Sequence, residues 1–150
     1  MVNMNFVEQC NTIFAQAVAD YHRTDNVDAV MPNPFAAGSI EYDLYCKNWI
    51  DTVQWHLEDI IRDPQIDPAE ALVIKRRIDA SNQDRTDLVE RIDSYFWELF
   101  HGITPQANAR INTESPAWAI APLHGRISSR WPLHNRVSAD PRSARRAQTP

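Results

Sequence analysis

Apolar residues recur through the first hundred positions at alternating spacings of three and four, the period of a helix packed on one face. Phe6, Cys10, Ile13, Ala17 and Tyr21 trace the first stripe, with Asn5 and Glu8 placed as a capping box at its start. A helix over about 6–22 follows. Tyr42, Cys46, Trp49, Val53 and Ile60 form a second stripe, widened by Ile50 and Leu57; Ser39 suits its N-cap and Pro64 its end. That predicts a helix over about 40–62. The sharpest boundary is Asp67-Pro68 with Glu70 three residues after the cap. Beyond it Ile74, Ile78, Ser81, Arg85, Leu88, Ile92, Tyr95 and Leu99 continue in steps of four and three, a bundle-type packing seam over 68–100 with a polar middle. Gly102 and Pro105 stop this helix. Ser115-Pro116 opens another near Pro116, which Pro122, Gly125 and Pro132 cut short.

The predicted fold class is therefore all-α: a helical bundle of three main helices plus a short C-terminal helix start. The connection between helices one and two, TDNVDAVMPNPFAAGS, is long for a bundle and is either a packed functional loop or a mobile one. The short connection 63–67 makes helices two and three antiparallel neighbours. Counting outward from that turn places Tyr45 opposite Arg85, Trp49 opposite Ser81 and Asn82, and Asp51 opposite Asp79. His56 then comes near Ile74 and Lys75.

Charge divides the chain. Residues 1–120 hold 19 acidic and 9 basic residues, a balance of −10, whereas 121–150 hold 6 arginines against Asp140 alone. The acidic body argues against broad contact with a phosphate backbone, leaving nucleic acid unlikely apart from weak binding by the basic tail. The tail is rich in Arg, Ser, Pro and Ala without an amphipathic stripe, so the expected domains are a helical body over 1–120 and a disordered tail over 121–150. No basic leader and no apolar run of bilayer length is seen, which points to the cytoplasm and away from a membrane. Cys10 and Cys46 sit at helical spacing among apolar residues and are expected as buried free thiols.

Among residues that carry chemistry, Arg85 stands out because it occupies a seam position. A guanidinium there needs a carboxylate and a stacking ring; Tyr45 or Trp49 of helix two is the expected ring, Asp43 or Glu114 the expected carboxylate. Functionally it would hold a carboxylate or phosphate bidentately; structurally it would fix which helix packs where, the heavier of the two readings. Asp79, Asn82 and Thr86 form the adjacent row, the makings of a polar pocket or of a hydrogen-bonded interface. His56 with Asp59 has metal-ligand residue types, yet the Glu-x-x-His order of di-iron bundles is absent, so a core histidine is the better reading. His22 and His101 lie at helix ends, where they support the last turn. Asp87 with Arg91 and Glu58 with Arg62 read as surface pairs. Asn112 and Glu114 precede the last helix start and organise that entry or reach the polar interior. The ligand-binding candidates are thus Trp49, His56, Asp79, Asn82, Arg85, Asn112 and Glu114; no catalytic signature, metal spacing or cofactor motif is present.

Four stretches carry a resemblance: LYCKNWIDTVQWHLEDIIRDPQIDPAEAL, KRRIDASNQDRTDLVERIDSYF, NPFAAGSIE and INTESPAWAI. Together they resemble the bacterial domain-of-unknown-function 4254 family over about residues 5–120. The resemblance implies a helical protein and brings no biochemical activity with it. It also implies further helical segments after PAWAI, where this chain turns to APLHGRISSRWPLHNRVSADPRSARRAQTP. A frameshift or misplaced gene end explains that change better than a nucleic-acid-binding arm, and would leave apolar helix surface without its partners.

Two readings of function follow. The favoured one is a non-catalytic module that oligomerises or binds a protein partner through exposed apolar helix faces. The alternative is a binding protein or enzyme for an anionic, hydroxylated ligand, of the sugar phosphate or nucleotide sugar class, held between helices two and three. His56, Asp79 and Glu114 would then be the groups for proton transfer.

Overall fold

The computed structural model describes residues 6–120 and is built on three long helices, α1 (Phe6–Tyr21), α2 (Ile40–Ile61) and α3 (Pro68–Phe100), followed by a helical stretch over residues 116–120. Among the described residues there is no strand. The predicted boundaries hold to within a residue or so because the caps set them. Ser39 Oγ accepts from the Tyr42 amide at 3.1 Å, and Asp67 Oδ1 accepts from the Ala69 and Glu70 amides at 2.9 and 3.1 Å. The basic tail and Asn5 lie outside the described residues.

Helix direction explains the long connection. Gln9 bonds Glu41, the Phe14 carbonyl accepts from Asn48, and Tyr21 meets Trp49 and His56. Residue numbers rise together along both helices, so α1 and α2 run parallel. A parallel pair needs a return path as long as the helix, roughly 30 Å for 20 residues. Residues 22–39 supply it, and they are packed: Val27, Ala29, Met31 and Phe35 lie against the core. Asn33 Nδ2 donates to the Tyr42 carbonyl at 3.1 Å, and Arg77 of α3 holds Asp28 and the Val27 carbonyl.

α2 and α3 are antiparallel, with Asp43 beside Arg91 near one end and Gln54 beside Asn82 near the other. The register differs from symmetric counting. Asp51 faces Arg85 rather than Asp79, a shift of roughly one and a half turns. The reason is that the start of α3 overshoots the end of α2. Leu72 and Val73 stay exposed, and the seam first closes where Ile74 and Ile78 pack on Leu57.

The interior has two parts. The larger joins Cys10, Ile13, Phe14, Ala17 and Tyr21 to Leu44, Tyr45 and Trp49, with Val89, Ile92 and Ala117 closing it. The smaller is Leu57, Ile74 and Ile78. Each fully buried large apolar side chain contributes about 1.5–3 kcal/mol. Both cysteines are buried and free.

Candidate functional site

Between the two apolar clusters, the α2–α3 interface is polar. Ser81 Oγ lies 3.0 Å from Gln54 Oε1, and Gln54 Nε2 donates to Asn82 Oδ1 at 3.0 Å. One turn nearer the larger cluster, Asp51 receives two cations. Lys47 Nζ, on a side chain only 2% exposed, donates to Asp51 Oδ2 at 2.7 Å. Arg85 Nε lies 2.8 Å from Asp51 Oδ1. That contact is close enough for strong attraction but poorly aligned, so the buried Nε is left without a proper hydrogen bond. The guanidinium carbon sits 5.4 Å from the centre of the Trp118 ring.

Arg85 therefore has both neighbours that its seam position demands, though not the expected ones. Its carboxylate is Asp51, because the register shift carries Arg85 past Tyr45, and Asp43 is taken by Arg91 at 3.2 Å. Its ring is Trp118, from beyond α3 rather than from α2. With its side chain 29% exposed, Arg85 sits at the rim of the interface.

The other candidates have separate surroundings. Trp49 is core, stacked on Tyr45 and edge-on to Tyr21. His56 is half-buried and stacked on Tyr21 at 4.7 Å, with His22 edge-on at 5.4 Å. Asp79 is exposed and paired with Lys75 along its own helix. Asn82 is exposed and engaged by Gln54. Asn112 and Glu114 are exposed, Asn112 accepting from the Glu114 amide at 3.3 Å. So Asn82 and Arg85 share the polar interface, while Asp79, Asn112 and Glu114 do not reach it. Arg91 pairs with Asp43 across the interface, and Asp87 accepts instead from Gln83.

Sequence reading missed Lys47 and Asp51 as site residues. Their signal was available: Lys47, Asp51 and Gln54 repeat at four and three on α2, a polar stripe to match Ser81, Asn82 and Arg85 on α3. It also missed the buried Tyr45 hydroxyl, which donates to Asp20 Oδ2 at 2.8 Å beside Arg23. Burial, followed by that bond, pushes the Tyr45 phenol well above its usual range.

The last turns of α3 form a second feature. Asp93 Oδ1 accepts from the Ala117 amide at 2.8 Å, capping the 116–120 stretch from a neighbouring helix. Ser115, the expected cap, instead has a buried hydroxyl without a partner among the described residues. Beside this junction lies a groove of about 840 Å³ walled by Phe96, Trp97, Phe100, Ile103, Pro105 and Pro116. Tyr95 and Leu99 continue the α3 seam past the start of α2 and are exposed.

Neither thiol is poised for chemistry. Burial pushes Cys10 up to about 11 and raises Cys46 as well, so both stay protonated at neutral pH. Among the described residues no three His, Cys, Asp or Glu side chains gather as a metal site requires, and no helix is long and apolar enough to cross a membrane. Comparison with curated proteins and with solved structures gives no match. A family model does match, over residues 41–131, beginning at α2 rather than in α1 and running past Ile120, where the resemblance read from the sequence ends. This match covers more than half of the chain, which therefore belongs to the family described as protein of unknown function, DUF4254.

Proposed function

We propose that the chain is a non-catalytic helical module that associates with a second copy of itself through the end of α3. The observation that carries this reading is the uncovered continuation of the seam. Its apolar positions Ile74, Ile78, Leu88 and Ile92 are buried, whereas Tyr95 is 39% and Leu99 50% exposed. Exposed aromatic and aliphatic side chains on the continuation of a packing seam are typical of an association site. Charge favours a second copy here. At −5 overall, two copies repel across most of their surface, yet from Ser94 to Gln106 the one charged residue is Glu98. An isologous pairing of two such ends would extend each seam with the other's aromatic side chains.

The test is the molar mass of the full chain by light scattering during size exclusion, at several loading concentrations. The reading expects a dimer that Leu99→Glu converts to monomer, while Leu72→Glu at the opposite end of α3 leaves it dimeric. A monomer at every concentration would overturn it. The ligand-binding alternative requires polar groups that converge, and of its candidates only Asn82 and Arg85 share the polar interface among the described residues.

A further inference from the structure

We infer that Arg85 forms a binding site for a small oxyanion, a carboxylate or phosphate group, at the solvent-facing edge of the α2–α3 interface. Among the described residues Asp51 is the one carboxylate paired with either Lys47 or Arg85, and it meets both, through opposite oxygens at 2.7 and 2.8 Å. One negative charge cannot neutralise two positive ones. Lys47 is the deeper partner, 2% exposed against 29% for Arg85, and a desolvated ammonium needs its counter-ion more. The carboxylate is thus committed to Lys47, and the excess positive charge resides on Arg85.

Geometry points the same way. Arg85 meets Asp51 through Nε, and this contact is misaligned. The terminal nitrogens of the guanidinium, a planar fork suited to two parallel bonds with a carboxylate or phosphate, have no acceptor among the described residues. The guanidinium carbon lies over the Trp118 ring, 5.4 Å from its centre, and both side chains reach solvent. With Asp51 at its Nε edge and an aromatic ring nearby, the fork has fewer orientations to lose when an anion binds. Lys47 acts as a positioning residue: it cannot reach the ligand, but it occupies Asp51 and so leaves Arg85 uncancelled. This inference stands apart from self-association, which involves the far end of α3.

The test is titration of the full chain with inorganic phosphate in one arm and acetate in the other, ionic strength held constant with chloride, followed by calorimetry and tryptophan fluorescence. Saturable binding in either arm is expected, the tighter arm naming the ligand chemistry. Arg85→Met should weaken it at least tenfold, and Arg85→Lys, which keeps the charge without the fork, should also weaken it. Lys47→Met should weaken it too, because Asp51 then turns to Arg85. Arg91→Met, at an arginine with its own carboxylate, should leave it unchanged. If Arg85→Met fails to fold by circular dichroism, Arg85→Lys and Lys47→Met decide. Absence of saturable binding in both arms, equal loss in Arg91→Met, or full affinity in Arg85→Lys and Lys47→Met would overturn the inference.

Discussion

Arg85 Nε and Lys47 Nζ approach the two oxygens of the same Asp51 carboxylate, at 2.8 and 2.7 Å. This sharing makes the three residues unequal in their effect on stability. Removing Asp51 strands two cations, one of them fully buried. Asp51→Asn should therefore destabilise the protein by about 3–5 kcal/mol, measured by urea unfolding. Lys47→Met leaves Asp51 with Arg85, and Arg85→Met leaves it with Lys47. Each should lower stability by less than half as much, and equal losses for all three would refute the shared-carboxylate account.

The junction after α3 makes a narrower prediction. Asp93 caps the 116–120 stretch through the Ala117 amide. Asp93→Ala should cost about 1 kcal/mol, typical of a lost cap, and speed hydrogen exchange at Ala117. Ser115→Ala should be neutral or slightly stabilising, because its buried hydroxyl has no partner among the described residues. The reverse pattern would show that Ser115 is the cap.

Stability should fall at alkaline pH. Burial raises the Cys10 thiol from 9.0 to about 11, so between those values the unfolded chain loses a proton that the folded chain keeps. The stabilisation is complete below pH 9 and is lost as pH rises through the folded value. About 2–3 kcal/mol should disappear over that window, at about 1.4 kcal/mol per unit. Cys10→Ala, compared with wild type by denaturant titration at pH 8 and pH 11, should flatten the slope; an unchanged slope would contradict the assignment.

The sequence made some of this legible and hid the rest for physical reasons. Helix limits were readable because Ser39, Asp67 and Pro68 act locally, within one turn of the residues they cap. The placement of Arg85 among neighbours was readable from the seam, since a residue between Ser81 and Leu88 at that spacing must face a partner helix. Its actual partners were not. Periodicity gives the face of a helix but neither its direction nor its register, so the parallel α1–α2 pair and the overshoot of α3 past Ile61 were invisible. Asp79 was read from its spacing beside the seam, and Asn112 and Glu114 from their place before Pro116. In the structure Asp79 is exposed and paired with Lys75, the other two are exposed, and none of the three reaches the polar interface.

Self-association through the end of α3 is tested most directly by intermolecular spin-label distances. The two native cysteines are buried, so a nitroxide introduced at Thr104→Cys or at Glu70→Cys will label one exposed position. Double electron–electron resonance on the full chain should show a strong dipolar modulation with a defined short distance for the Thr104 label. The Glu70 label, at the opposite end of α3, should show a longer distance or none. A decaying background for both labels, or a short distance for Glu70 alone, would contradict the account.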